Sequence, residues 1–156
     1  MKKSQAIVLL LSLCTTKEAL AQSCTGAANG LAFGTYQPLT GSPSTSTSTV
    51  TVTCNPGVVS LLVSYSIQIG TGTGGSFAAR SMSNGGANLG YQIYTSALYN
   101  QVWGDGTGGT SQKSDGYTLG VVLPVIRNYT AYGVIPGGRN VATGIYGDIV
   151  AVLITY

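Results

Sequence analysis

The chain carries three cysteines, four acidic side chains and no histidine among its 156 residues, and this inventory bounds the chemistry open to it. Cys14 closes an apolar run, Ala6–Cys14, that follows the basic start Met1-Lys-Lys and precedes Ala19-Leu-Ala21. A basic start, a short apolar core and an A-x-A site read as a secretory signal peptide over residues 1–21. The mature chain, residues 22–156, is then expected to begin at Gln22 and to be exported. Cys24 and Cys54 remain as a pair, for which the simplest chemistry is a disulfide. Their midpoint lies in Gln37-Pro-Leu-Thr-Gly-Ser-Pro43, a turn-rich stretch, and a hairpin folded there brings both thiols to one end. Such a cross-link contributes roughly 3–4 kcal/mol in the loop-entropy account. A metal site lacks ligands, since the mature chain has no histidine and no third cysteine.

Catalysis is poorly provided for. Glu18 leaves with the signal, so acid–base work would fall to Asp105, Asp115 and Asp148, which sit in separate segments without paired-carboxylate spacing. A Ser–Lys nucleophile would rest on Lys113 alone. No catalytic, cofactor-binding or metal-ligating residue is assigned, and a non-enzymatic protein is expected. Gly70-Thr-Gly-Thr-Gly-Gly75 and Gly104-Asp-Gly-Thr-Gly-Gly109 both satisfy G-x-G-x-x-G, but neither opens a helix, and loop glycines explain them. Asp105 and Asp115 could hold calcium; turn chemistry accounts for them better. Asn128-Tyr-Thr130 matches the glycosylation sequon and is read as coincidence. Tyr91, Tyr94, Tyr99 and Trp103 could stack on a sugar, although core packing of Tyr91 and Trp103 is the favoured reading. Without the signal, Arg80, Lys113, Arg127 and Arg139 oppose three aspartates, a net charge near +1. That is too little to hold nucleic acid by counterion release or an anionic membrane by charge.

The elements that position these residues are strands. Leu31–Tyr36 alternates bulky and small residues and is expected to be the first of them. Ser42–Thr49 reads as a solvated Ser/Thr loop running into Thr49–Cys54, where Val50, Val52 and Cys54 share one face. Leu61–Ile69 follows, with Leu61, Val63, Tyr65, Ile67 and Ile69 inward. Leu89–Tyr94, Tyr117–Ile126 and Thr130–Ile135 are further strands, with loops at Gly70–Gly75 and Gly104–Gly116 and a bend or edge at Pro124. Ile149–Ile154 is apolar throughout, the composition of a buried strand, yet the sequence supplies nothing after Tyr156 to cover it. Short strands, Gly/Pro turns and one disulfide together argue for a β-sandwich.

Ordered along the chain, Cys24 with Leu31-x-Phe-Gly-x-Tyr36, Val50-x-Val-x-Cys54, Gly70, Arg80-x-Met82 and Leu89-x-Tyr-x-Ile-Tyr94 form a recognisable set. Val102-Trp-Gly-Asp-Gly106, Tyr132-Gly-x-Ile-Pro136 and Gly144-x-Tyr-x-Asp-x-Val-x-Val-x-Ile-x-Tyr156 complete it. The set resembles the spore coat protein U family, the pilin-like domain of archaic chaperone–usher pili. The resemblance implies an all-β, incomplete immunoglobulin-like sandwich that lacks its final strand. A periplasmic chaperone, and then a neighbouring pilus subunit delivered through an outer-membrane usher, would supply that strand by β-strand addition. It further implies a groove to which Val150, Val152, Ile154, Tyr156, Leu31 and Phe33 contribute, and passage through the periplasm to the cell surface. Members that polymerise carry an apolar donor extension before the first cysteine. Here only Gln22 and Ser23 intervene, which suits a tip or otherwise terminal subunit. The alternatives are a secreted carbohydrate- or ligand-binding module and a free-standing coat protein that completes its own sheet.

Overall fold

The structure is a computed structural model that describes residues 23–156; the expected signal peptide lies outside the described residues. Two sheets face each other. One has the order β1 (Ser23–Ala28), β2 (Ser44–Asn55), β8 (Val125–Ile135), β6 (Gln92–Tyr94); the other β7 (Lys113–Leu119), β3 (Leu61–Ile69), β9 (Val152–Thr155). β4 (Ser81–Asn84) and β5 (Ala87–Gly90) form a hairpin between them. All the strand pairings are antiparallel. The fold is an incomplete immunoglobulin-like sandwich, and alternation builds its core: Val50, Val52 and Cys54 from β2, and Val63, Tyr65, Ile67 and Ile69 from β3, are buried.

Several expected boundaries move. The first strand is Ser23–Ala28, not Leu31–Tyr36, because pairing with β2 in the register Cys24↔Cys54 begins at the disulfide. Residues 29–36 lie over the inner face of the same sheet, where Leu31 and Phe33 pack so closely on Gly133 that a β-carbon there would meet the Phe33 ring. Their carbonyls take hydroxyl donors from β2 instead of a strand ladder: Ser44 Oγ–H to Phe33 at 3.2 Å, Ser46 Oγ–H to Ala32 at 2.9 Å, and Ser48 Oγ–H to Asn29. The Ser/Thr tract read as a loop is therefore half of a 12-residue strand. Leu89–Tyr94 breaks at Tyr91 into β5 and β6, which belong to different sheets. The strand expected over Tyr117–Ile126 ends at Leu119, and Val125–Ile135 is one strand that starts after Pro124, whose missing N–H suits the boundary. Lys113–Gly116 belongs to β7, so Asp115 is a strand residue and not a turn residue. Leu61, expected inward, is 40% exposed at the start of β3.

Arg80 is 1% exposed and fixes the middle of the core. Its Nε–H donates to the Gly70 carbonyl at 2.9 Å, and Nη2 donates to Gly70, Ile69 and Trp103 carbonyls at 2.8, 3.2 and 2.7 Å. Nη1 donates to Gln92 Oε1. Burial lowers its pKa, and Tyr91 and Asp148 partly oppose that. Trp103, fully buried, donates its indole N–H to the Ile67 carbonyl at 2.9 Å.

Candidate functional site

The disulfide Cys24–Cys54 joins paired positions on β1 and β2 and fixes β1 as the edge of its sheet. β9 is the edge of the facing sheet, paired on one side with β3. The two edges stand opposite each other, and among the described residues no strand lies between them. Val150, Val152 and Ile154 point inward by the alternation of an extended chain but are only half-buried. Their partners on the other bank, Gly26 and Ala28, are too small to cover them.

Three cavities run into one another along this opening. The first, ≈ 440 Å³, lies between Cys24–Ala28 and Val150–Ile154. The second, ≈ 420 Å³, continues between Ala28–Phe33 and Tyr146–Val152 over a floor that includes Val50, Ile69 and Ile93. The third, ≈ 550 Å³, extends between Leu31–Tyr36 and Val141–Tyr146. Together they make a groove alongside residues 24–36, lined mainly by apolar side chains.

Of the sequence-predicted groove residues, Leu31, Phe33, Val150, Val152 and Ile154 come together here. Tyr156 does not: it is 64% exposed and lies past the last β3–β9 pair, in an open hollow shared with Ser64, Ser66 and Asp115. The terminal run is also not buried on both faces, because Ile149 is 85% and Leu153 56% exposed on the outer side. Sequence reasoning missed Met82 and Tyr146, which line two of the cavities, since neither sits in a periodic apolar run. It missed Asp148 as well. Its carboxylate accepts the Thr73 N–H at 2.8 Å, the Thr73 hydroxyl at 2.7 Å and the Tyr91 hydroxyl at 2.6 Å, which clamps the bank of the groove to the Gly70–Gly75 loop. Partial burial raises its pKa, but the Tyr91 and Thr73 donors outweigh burial and hold the carboxyl below the usual range. Gly72 lies against this carboxylate, and no β-carbon fits there.

The Spore Coat Protein U domain signature matches residues 10–153. The chain belongs to the spore coat protein U domain family. Protein U of Myxococcus xanthus is 34% identical over 140 residues, an alignment covering 84% of this chain and 74% of that protein. Among solved structures, the fold is similar to one chain of the CsuC–CsuE chaperone–tip adhesion subunit pre-assembly complex from archaic chaperone–usher Csu pili of Acinetobacter baumannii. The TM-score is 0.55 at 21% identity, over 87% of this chain and 40% of that one. The chain thus spans two-fifths of the length of that solved relative.

The remaining polar clusters are structural. Asp105 accepts from Thr107 N–H and hydroxyl at 2.8 and 2.7 Å, an Asx turn. Asp115 accepts the Tyr129 hydroxyl at 2.6 Å between the sheets, and Tyr65 and Tyr129 share a hydroxyl contact at 2.6 Å. Tyr91 and Trp103 are buried, leaving only the edge-to-face pair Tyr94–Tyr99 of the four aromatics considered for sugar stacking. Among the described residues no helix is long and apolar enough to cross a membrane.

Proposed function

We propose that this protein is an exported structural subunit of a bacterial surface pilus or coat that accepts a strand in trans. A periplasmic pilus chaperone fills the groove first; a neighbouring subunit's extension replaces it at an outer-membrane usher. The observation that carries this reading is the pair of open edges, β1 and β9, facing each other across an apolar groove with Val150, Val152 and Ile154 half-covered. An extended strand is the occupant that satisfies both needs at once, since it offers backbone hydrogen bonds to β9 and alternate apolar side chains to the groove. Family membership and the fold shared with a chaperone–tip adhesion subunit complex support it.

A terminal place in the pilus is part of the proposal. Ser23 already pairs with Asn55, so the residues that follow the expected cleavage site are used in this domain's own sheet and leave no length for a donor. The reading is structural and not catalytic, and the hydrogen bonds that hold Asp105, Asp115 and Asp148 in place favour it.

The test is a fusion. An alternating Val/Leu/Ile strand is appended after Tyr156 through a flexible linker, and its melting temperature is compared with that of the unmodified mature chain. Each aliphatic side chain buried contributes about 1.5–3 kcal/mol before ordering costs, so a marked rise is expected. A soluble monomer that melts as high without the added strand would sink the proposal and favour a self-complete coat protein or a binding module.

A further inference from the structure

Asparagine followed by glycine is the dipeptide whose side-chain amide is most readily attacked by the next backbone nitrogen, because glycine sets no side chain in the way and turns freely. The chain has two such pairs, Asn29-Gly30 and Asn84-Gly85. Asn29 is the first residue beyond β1, where the chain leaves its ladder and swings over the sheet to place Leu31 and Phe33 on Gly133. Both Asn29 and Gly30 are exposed and line the ≈ 420 Å³ cavity of the groove. Among the described residues, neither the Asn29 carboxamide nor the Gly30 N–H has a hydrogen-bond partner. The Asn29 backbone is pinned on both sides: its N–H donates to the Thr49 carbonyl at 3.1 Å, and its carbonyl accepts the Ser48 hydroxyl. Asn84 is placed differently. It closes the β4–β5 hairpin opposite Ala87, its carbonyl accepts the Gly86 N–H at 2.7 Å, and its carboxamide is wedged against Gly144, where a β-carbon would strike it.

Resting on the strand-accepting reading above, we propose that Asn29-Gly30 is a self-modification site whose rearranged product bars the groove to an incoming strand. The Gly30 nitrogen, losing its proton to solvent base, bonds to Asn29 Cγ; the Cγ–Nδ2 bond breaks, and Nδ2 takes up a proton and leaves as ammonia. Water then opens the five-membered imide at either carbonyl. Opening at Cγ gives aspartate. Opening at the backbone carbonyl carbon gives isoaspartate, in which the main chain runs through Cβ and Cγ and is one carbon longer. No oxidant or reductant takes part. Aspartate adds only an exposed charge. Isoaspartate turns the carbonyl that accepts from Ser48 into a free carboxylate and lengthens the arm that carries Leu31 and Phe33, so this bank of the groove loses its seat on β2 and β8. A strand in the groove lies against Asn29 and Gly30 and slows the rotation that cyclisation needs. Subunits left without a strand therefore age out of assembly, whereas filled ones are protected.

The experiment follows the full mature chain in mildly alkaline buffer at body temperature. Peptide mapping should show the Asn29 peptide gaining about 1 Da and splitting into aspartyl and isoaspartyl forms, about tenfold faster than the Asn84 peptide. Gly30→Ala, at a position where a β-carbon meets nothing and φ is not left-handed, should leave the melting temperature unchanged and slow the gain about tenfold. The fused strand should slow it likewise. Aged chain, enriched in isoaspartate, should lose the melting shift that a free peptide of alternating Val and Thr gives the fresh chain, whereas freshly prepared Asn29→Asp should keep it. If Asn29 gains mass no faster than Asn84, or if aged and fresh chains respond alike to the peptide, the inference is overturned while strand acceptance stands. If neither the free peptide nor the fused strand raises the melting temperature of fresh chain, strand acceptance itself fails and the inference falls with it.

Discussion

Three of the donors on the Asp148 carboxylate come from outside its own segment, and together they favour its ionised form. Its native pKa lies below the unfolded value of 3.8, so its stabilisation is complete above about pH 4 and is lost as the pH falls through the native value. Asp148→Asn should destabilise by about 1–2 kcal/mol at neutral pH, allowing for partial exposure. The difference in melting temperature between the two proteins should shrink below pH 4. A contrasting residue is Tyr117, whose hydroxyl is buried without a partner among the described residues, between Tyr65 and Arg127. Removing an unsatisfied group that is already costly should be neutral or favourable, so Tyr117→Phe should melt no lower than wild type. Neither residue could be picked out from sequence. Asp148 stands next to an apolar run and Tyr117 in an alternating one, and their opposite standing depends on partners brought from β3, β8 and the Gly70–Gly75 loop.

At the scale of elements, β1 is held by its ladder to β2 and by one covalent bond. Cys54→Ser should cost roughly 3–4 kcal/mol. It should also weaken strand acceptance, since β1 forms one bank of the groove; the melting shift of the fused-strand protein, measured with and without reductant, reads both effects. The pairing of the two cysteines was legible because they are the only two thiols after the expected signal peptide and flank a turn. Strands β2 (from Thr49) and β3 were legible because their apolar residues alternate against Thr and Ser. The strand content of residues 44–48 was hidden: hydroxyl residues carry no hydrophobic period, and their inward face meets backbone carbonyls instead of the core. The place of residues 31–36 was hidden for the converse reason, because their alternation reports packing onto Gly133 and not membership of a sheet. The groove was legible only as a strand lacking a cover; its far bank depends on how residues 29–36 fold over β2 and β8.

At the scale of the whole molecule, exposed aliphatic residues gather at the end reached by the β2–β3 and β7–β8 connections. Val58, Val59, Leu62, Val121, Val122, Leu123 and Ile126 are all exposed, around strand positions paired as Leu61↔Leu119 and Thr53↔Ile126. With few charges in the chain to oppose association, this end should drive self-association at high concentration. The double substitution Val122→Asp, Leu123→Asp should raise the concentration at which the protein stays monomeric, measured by sedimentation, and leave the melting temperature within about 0.5 kcal/mol of wild type in stability terms.

The alternation of Ser44, Ser46 and Ser48 with Thr45, Thr47 and Thr49 has a phase. Serine hydroxyls face the carbonyls of residues 29–33, while the β-branched threonines at 45 and 47 face solvent and stiffen the strand. A tract of two letters that looks like filler thus carries an ordered message, of which composition keeps no record. Exchanging the two letters throughout 44–49 leaves the amino-acid content identical, yet sets a methyl group beneath each carbonyl and loosens the segment that carries Leu31 and Phe33. The permuted protein should melt lower than the native one, whereas a Thr→Ser change at 45 and 47 alone should cost only a few tenths of a kcal/mol in strand preference.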